Sequence, residues 1–218
     1  MKKILAFTLA ETLIVMGIIG IVSALTLPNL NSSTGEKEKI AKVKKIYQNV
    51  NDALGRAQAV YGPIDEWFVN DGTDFVKKGN RLGERISEFM KVSKTCGYGD
   101  GESNMACFKN VTVESSSMAT TITGYKFILA DGTAMSIYYN NSSIVIMFDI
   151  DGPTKGVGKK NKDVFLFEIK SDGTFASDYK GNFSDDIAVA TQWIIRNDNM
   201  DYLKCLDKLN WETKTSCK

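Results

Sequence analysis

The sequence contains no histidine in its 218 residues. Histidine is the commonest general base in enzymes, a common metal ligand and the usual partner of a catalytic serine or cysteine. Its absence removes the ordinary route to hydrolase and zinc chemistry. Carboxylate or lysine chemistry stays open, so an enzyme is disfavoured, and we predict that the protein is not one.

The sequence also lacks an excess of charge of either sign. It has 27 lysines and arginines against 26 aspartates and glutamates, which gives a formal net charge of +1. Broad nucleic-acid binding needs a basic surface, so no specific nucleic acid is expected as a partner. With 43% hydrophobic residues, the chain has the length and composition of one ordinary domain with an appendage.

Paired C-x-x-C motifs are missing as well. The four cysteines are Cys96, Cys107, Cys205 and Cys217, and they are not spaced as a structural zinc site. Two pairs, each close in sequence, fit disulfides formed in an oxidising compartment. Cys96 with Cys107 would close a short loop and Cys205 with Cys217 would pin the carboxyl end, although the sequence does not fix the connectivity.

What the sequence does contain is a long apolar run near its start. No ionisable side chain occurs from Thr12 to Leu27. A helix over residues 7–30 would be about 36 Å long, which is enough to cross a hydrocarbon core of about 30 Å. Lys2 and Lys3 precede the run, so we predict a single inner-membrane pass with the amino end in the cytoplasm and the rest outside it.

One interpretation of this run is a secretory signal peptide. The two lysines at the start would be its basic region, and Val22-Ser23-Ala24 would be a small-residue cleavage site. The product would be a soluble exported binding protein, released by signal peptidase after Ala24. Glu11 argues against this interpretation, because an acid at the edge of the apolar region weakens insertion and adds nothing to cleavage.

A second interpretation gives Glu11 a purpose. A carboxylate in hydrocarbon costs roughly 2.5–3.5 kcal/mol at the centre of a helix, so it is usually matched to a cation. Cleavage between Ala6 and Phe7 would create an α-amino group on Phe7, about 6 Å along the helix from Glu11. The amine could pair with Glu11 of its own chain or of a neighbouring chain, and the second pairing would make the helix a polymerisation element.

The stretch AFTLAETLIVMGIIGIV resembles the class III leader and transmembrane helix of type IV pilins and type II secretion pseudopilins. In that family a prepilin peptidase cuts before a Phe and methylates the new amine, and a Glu occupies the fifth mature position. The resemblance implies cleavage between Ala6 and Phe7, N-methylation of Phe7 and an assembly role for Glu11. Ala6 and Ala10 depart from the family pattern, which usually has Gly and a bulky aliphatic residue there.

The same resemblance implies a function and a set of partners. The protein would be a structural subunit of a type IV pilus-like or pseudopilus filament, located at the cell surface or in the periplasm when assembled. It would polymerise with itself or with other pilins. Its other partners would be prepilin peptidase, membrane lipid, and an assembly platform protein with its ATPase. The task of the filament is not encoded in these motifs.

Four parts are predicted along the chain. They are a leader at residues 1–6, a transmembrane and assembly helix at 7–30, an amphipathic helix at 31–62 and a globular head at 63–218. Apolar residues from Ile40 to Tyr61 recur every three or four positions, which predicts one buried helix face. The lysines on the other face are interpreted as a solvated surface, with contact to anionic lipid as the alternative.

The helix is predicted to be irregular in its first half. Gly17, Gly20 and Pro28 match helix-loosening positions of the resembled family, and Pro28 should kink or break the helix. Ser33 with Glu36 fits a capping box for a helix that restarts. A helix that instead ran without a break from residue 7 to residue 60 would be about 80 Å long.

The second half of the chain reads as strands. The runs YKFILADGTAMSIYY, SSIVIMFDI and DVFLFEI predict four antiparallel strands, with a hairpin turn at Asp131-Gly132. The tail DDIAVATQWIIRNDNMDYLKCLDKL predicts a C-terminal helix. The fold class is therefore α+β, with a long N-terminal helix packed on a small antiparallel sheet, and the resemblance makes it pilin-like.

A candidate metal site lies in the loop FDIDGPTKGVGKKNKD, which carries Asp149, Asp151 and Asp163. Oxygen donors on a flexible loop suit Ca²⁺, and pseudopilins of type II secretion carry Ca²⁺ in a loop of the head. The spacing is not that of an EF-hand, and four lysines in the loop would repel a cation. The preferred interpretation is a turn in which Asp and Asn side chains bond their own backbone, with no cofactor.

Overall fold

The computed structural model describes residues 9–99, 106–108, 124–140, 143–155, 158–159, 161–170, 172–175 and 187–217, and the side chains of 23–34 lie outside this description. The chain divides into two compact units, Met1–Glu38 and Lys39–Lys218. The class is α+β, as predicted, with helices and a five-stranded antiparallel sheet.

Helix α1 spans Leu9–Tyr61, a length of 53 residues. It continues through Gly17, Gly20 and Pro28, so the helix neither breaks at these residues nor restarts at Ser33, whereas a kink at Pro28 stays a prediction. Each glycine costs about 1 kcal/mol relative to alanine and an interior proline about 3 kcal/mol, and long helical segments on both sides can sustain these costs.

The end of α1 follows the sequence signal. Gly62 adopts a left-handed conformation at φ 81° and donates its N–H to the carbonyl of Gln58 at 3.0 Å. This is the usual role of a glycine after the last helical turn.

Among the helices of the described residues, none is both long and apolar enough to cross a membrane.

The part of α1 that belongs to the second unit buries one face, as its spacing predicted. The buried side chains recur at three and four residues and are 0–1% exposed: Val43, Ile46, Val50, Ala53, Leu54 and Ala57. They pack in one apolar cluster with one face of the sheet and with Leu82 and Ile86 of the following helix. This burial is the ordinary source of stability for an amphipathic helix.

A short 3₁₀ helix, Ile64–Phe68, leads to helix α2, Phe75–Ser87. The Asp74 side chain caps α2 by accepting the N–H groups of Val76 and Lys77 at 3.0 Å. Gly79 and Gly83 lie directly against aromatic rings of the sheet, where an added Cβ would overlap the neighbouring ring. Glycine at these positions is therefore what lets α2 approach the strands.

The sheet has five strands in sequential order, each antiparallel to the next. They are β1 (Val92–Gly99), β2 (Gly124–Leu129), β3 (Ala134–Asn140), β4 (Ser143–Asp149) and β5 (Val164–Lys170). The four predicted strands are confirmed, and Gly132 turns the β2–β3 hairpin at φ 88°. Strand β1 was not predicted, because its sequence VSKTCGYG is polar and its pairing with β2 has two register shifts.

The C-terminal region is helical but interrupted. Helix α3 spans Ile187–Asn197 and helix α4 spans Tyr202–Cys205, so the single predicted helix is divided. Asp198 adopts φ 57° at the break, and Asn199 accepts the indole N–H of Trp193 at 2.9 Å. A residue with positive φ ends a right-handed helix. A short 3₁₀ helix, Leu206–Lys208, follows α4.

Both disulfides favoured by the sequence are present. Cys96 bonds Cys107, and Cys205 bonds Cys217, with S–S distances of 2.06 and 2.02 Å. The first ties β1 to the segment at residues 106–108, and the second closes the chain end onto α4. A disulfide that closes a loop of this length typically raises the free energy of unfolding by about 3 kcal/mol.

Candidate functional site

The first candidate region is the apolar start of α1. Nine large apolar side chains between Leu9 and Val22 are 51–79% exposed. Leu13, Ile14, Val15 and Met16 follow one another at about 100° per residue, so together they cover the whole circumference of the helix. A helix that is apolar on every side needs an apolar environment, and an exposed apolar surface of this extent marks an interaction site.

Glu11 lies in the first turn of α1 and is exposed. A carboxylate near a helix N-terminus is favoured by the helix dipole. The neighbouring Thr12 hydroxyl donates a hydrogen bond to the carbonyl of Leu9 at 2.8 Å. The predicted cleavage residues Ala6 and Phe7 lie outside the described residues, so the processing site stays a prediction.

Two of the three predicted helix-loosening residues have described surroundings. An ideal Cβ added to Gly17 or Gly20 would have no atom within 4 Å. These glycines therefore leave open surface on the apolar helix rather than filling a contact within this chain. The side chain of Pro28 is outside the description, and only its place within α1 is known.

The second candidate region is the loop between β4 and β5. Asp149 ends β4 and is buried, and its Oδ1 accepts the N–H of Asp151 at 3.0 Å. Gly152 turns the chain at φ 74° and donates its N–H to the carbonyl of Asp149 at 3.2 Å. Asp149 thus bonds its own backbone, which is the interpretation that the sequence favoured.

Burial is the main cause of an unusual acidity in this loop. It raises the pKa of Asp149 to about 6, and the nearby charges of Asp151 and Asp163 raise it further. The hydrogen bonds from the N–H groups of Asp151 and Gly152 act in the opposite direction and only partly offset burial. At neutral pH the carboxyl of Asp149 is therefore mostly ionised, and its buried charge lowers the stability of the folded protein.

A side chain of α1 enters the same loop. The ammonium group of Lys39 donates to Asp163 Oδ1 at 2.5 Å and to the carbonyl of Lys162 at 3.3 Å. Asp151 Oδ2 lies 4.0 Å from it. Two of the three predicted metal ligands therefore surround a cation that belongs to the chain, and the described residues include no group of three His, Cys, Asp or Glu residues arranged to hold a metal ion.

Two further lysines of α1 form ion pairs within the second unit, to which they belong. Lys44 pairs with Asp198 at 2.6 Å, and Lys45 pairs with Asp131 at 2.8 Å. Burial raises the pKa of Asp131, but hydrogen bonds from Lys45 and Thr133 outweigh burial and hold this pKa below its usual value. The Lys44 and Lys45 side chains stay 37% and 56% exposed, in keeping with a solvated face, and their charges also pair with separate loops.

Two open grooves lie among these residues, and several of their charged side chains are paired. A groove of about 520 Å³ lies between α1 and the turns at residues 89–91 and 129–131. Its Arg56 pairs with Asp52 at 2.7 Å and donates to the carbonyl of Phe89 at 2.9 Å. The paired charges within this groove do not resemble a catalytic arrangement.

The second groove, of about 550 Å³, lies beside α2. Arg81 holds the buried Asp71 with two hydrogen bonds of 2.8 and 2.7 Å. The Arg85 guanidinium lies 4.6 Å from the ring centre of Tyr61 and 5.1 Å from that of Trp67, so it links the end of α1 to the 3₁₀ helix. Burial lowers the pKa of Arg85, and these contacts serve the packing of α2.

Comparison with known proteins adds no identification. No family model, curated protein or solved structure matches this chain. The function is therefore inferred from the residues of the chain itself, and above all from the two regions described above.

Proposed function

We propose that the protein is a structural subunit of a type IV pilus-like or type II secretion pseudopilus filament. It would be cut between Ala6 and Phe7, methylated on Phe7, and polymerised through the first part of α1. The observation that carries this proposal is the apolar surface of residues 9–22, which surrounds the helix on all sides and has one carboxylate, Glu11, in its first turn.

The energetics favour a cover over that surface. Nine large apolar side chains that are more than half exposed represent roughly 10–20 kcal/mol of stabilisation when they are removed from water. Lipid can supply the cover while the subunit is stored, and equivalent helices can supply it in a filament. The apolar surface alone would not choose between the two environments.

Glu11 would favour the filament over lipid as the environment of this apolar surface. An acid surrounded by apolar side chains needs a cation, and the α-amino group of a processed Phe7 would be one. In a filament, the amine of one copy would meet Glu11 of a neighbour only when the two helices have the correct axial shift. Any other register would lose this attraction between neighbouring chains, which is strong in a medium of low dielectric constant.

The second unit supports the proposed location. Its two disulfides are formed, and disulfides persist in compartments outside the cytoplasm. Lys2 and Lys3 before the apolar run give the matching orientation. We therefore infer an inner-membrane precursor with its head outside the cytoplasm, which requires a prepilin peptidase and an ATP-driven assembly platform as partners.

The pilin-like reading of the fold rests on arrangement alone. Within residues 39–217, an amphipathic helix covers one face of a sequential antiparallel sheet, and a disulfide pins the carboxyl end. This order agrees with a filament subunit whose head packs on its own helix. It adds support to the proposal, whereas the N-terminal motif carries it.

Mass measurement of the purified native protein tests the processing step. A chain that begins at Phe7 with one added methyl group is the expected result. A chain that begins at Leu25 would indicate the soluble exported binding protein and would contradict the proposal, as would a chain that still begins at Met1.

Substitution of Glu11 tests the assembly step. Glu11→Val and Glu11→Gln should leave processing and both disulfides intact while filaments are lost or misregistered in electron micrographs. Glu38→Gln, which removes an acid outside the apolar run, should assemble normally. Normal filaments from both Glu11 variants would refute the role of this carboxylate.

A further inference from the structure

We propose that Lys39 is an internal cation that holds the β4–β5 loop in the way that a bound divalent cation would. The resemblance to pseudopilins implies Ca²⁺ in a loop of the head. In this chain the candidate loop does not fit a Ca²⁺ ion, because a side chain of α1 already supplies the positive charge. The inference concerns the second unit only and is independent of filament assembly.

The oxygen atoms around the ammonium group of Lys39 are those that a hard cation prefers. They are a carboxylate oxygen of Asp163 at 2.5 Å, the backbone carbonyl of Lys162 at 3.3 Å and a carboxylate oxygen of Asp151 at 4.0 Å. Carboxylates and carbonyls on one loop are the usual ligands of Ca²⁺. The ammonium group, with three N–H donors, hydrogen-bonds the first two of these oxygens without a metal and forms a longer ion pair with the third.

The pair between Lys39 and Asp163 is partly shielded from water. The side chains are 33% and 19% exposed, respectively. Coulombic attraction is stronger in such a place than on an open surface, where an ion pair contributes little. The bond also spans 124 positions of the sequence, so it ties the loop to the first residue of the second unit.

Ca²⁺ cannot simply join this arrangement. It binds oxygen at about 2.3–2.6 Å, and the Lys39 nitrogen already lies 2.5 Å from Asp163 Oδ1. An ion placed on that oxygen would therefore face the ammonium charge at close range. Asp149 does not complete a site either, since the described residues include no group of three His, Cys, Asp or Glu side chains arranged to hold a metal ion.

The proposal predicts how the purified full chain responds to Ca²⁺. The midpoint of thermal unfolding of the wild-type protein should be the same, within about 1 °C, in 5 mM CaCl₂ and in excess chelator. Lys39→Met keeps most of the apolar stem and removes the charge, and should lower the midpoint in chelator by about 3–6 °C. CaCl₂ should then restore part of that loss, because Asp151 and Asp163 are left without their cation.

Two matched variants make the result specific. Lys39→Arg keeps the charge and should remain indifferent to Ca²⁺. Lys44→Met removes another lysine of α1, whose partner Asp198 is a single carboxylate that is 70% exposed, and should show no rescue by Ca²⁺. These controls separate a loop-specific effect from a general effect of the ion.

Three outcomes would overturn the proposal. They are a wild-type midpoint that rises in CaCl₂, a Lys39→Met variant with an unchanged midpoint, and a destabilised Lys39→Met variant that Ca²⁺ does not restore. If Lys39→Met does not fold, calorimetric titration of the wild-type chain with CaCl₂ still decides the matter. Binding of Ca²⁺ at millimolar or lower concentration would contradict the proposal, and absence of binding would support it.

Discussion

The two parts of α1 differ both in their content of apolar residues and in how these residues are covered. In residues 40–57 about half of the residues are apolar, and most of these recur every three or four positions and are almost completely buried, whereas in residues 9–22 about seven in ten are apolar and the large ones follow without a period and are more than half exposed. Periodic spacing allows a helix to be covered on one side by its own chain. A helix that is apolar all round must be covered by something else.

The largest expected effect compares one residue from each part. Leu54→Ala removes a side chain that is 1% exposed and should lower the free energy of unfolding of the second unit by about 3–5 kcal/mol. Ile18→Ala removes a side chain that is 57% exposed and should leave that free energy unchanged. Chemical denaturation of the full chain, followed by near-ultraviolet circular dichroism, measures both.

An equal loss of stability from the two substitutions would contradict the difference proposed between the two parts of α1. It would mean that residue 18 is covered by its own chain.

The proposed filament makes a second prediction for Ile18→Ala: filaments of this variant should be less stable although its second unit is unchanged. Measuring the fraction of subunits that sediment as filaments at rising salt and detergent concentration tests this.

The next effect concerns helical glycines with opposite surroundings. Gly83 of α2 lies against the ring of Tyr125, whereas Gly55 of α1 has open space where a Cβ would be. Gly83→Ala should destabilise the second unit by about 1–3 kcal/mol, because the ring must move. Gly55→Ala should stabilise it by about 0.5–1 kcal/mol, because alanine restricts the unfolded chain and favours a helix.

Thermal unfolding of both glycine variants checks the prediction through the sign of the shift. The midpoint should fall for Gly83→Ala and rise for Gly55→Ala. A rise for Gly83→Ala would mean that Tyr125 yields without cost and that glycine does not set the approach of α2 to the sheet. The pair therefore tests whether open and covered helix surfaces are correctly assigned.

Local patterns were enough to predict much of the fold. The buried face of α1 and four strands each follow from residues close together in sequence, and the two disulfides join the favoured neighbouring cysteines although the sequence left their connectivity open. Strand β1 was missed because its residues are polar and its glycines allow irregular pairing. The break between α3 and α4 was missed because helical spacing continues through Asp198, whose backbone turns left-handed.

The candidate sites were predictable to different degrees. Glu11 is conspicuous because it is an acid within an apolar run, and the three aspartates of the β4–β5 loop are conspicuous by their spacing. Lys39 could not be assigned to that loop, because its partner Asp163 is 124 positions away and five lysines lie close together in this part of α1. Which of them meets the loop is decided by packing.

Glu11 and Asp149 are two carboxylates whose charge has to be accommodated away from water, by our proposal for Glu11 and by its burial for Asp149. For Glu11 we propose a cation from a neighbouring chain, whereas Asp149 is buried and its pKa is raised to about 6. A folded-state pKa above the ordinary value of 3.8 means that the folded protein binds the proton more tightly than the unfolded chain does. The stability from this group is therefore complete below pH 3.8 and is lost as the pH rises through 6.

Asp149→Asn removes the buried charge and therefore the cost of ionising it. The amide oxygen of asparagine can still accept the N–H of Asp151, so the turn is kept. Relative to wild type, the variant should gain about 1–3 kcal/mol of unfolding free energy at pH 8, with the gain disappearing below about pH 4.

For Asp172 the expected change of stability at pH 8 has the opposite sign, because hydrogen bonds from the hydroxyl and N–H of Thr174 lower the pKa of this carboxyl. Asp172→Asn should therefore lose stability at pH 8, and that loss should fade only as the pH falls below the ordinary value of 3.8. Denaturation curves between about pH 3 and pH 8 measure both, and a gain for Asp149→Asn that did not change with pH would show that the charge of Asp149 is not the cause.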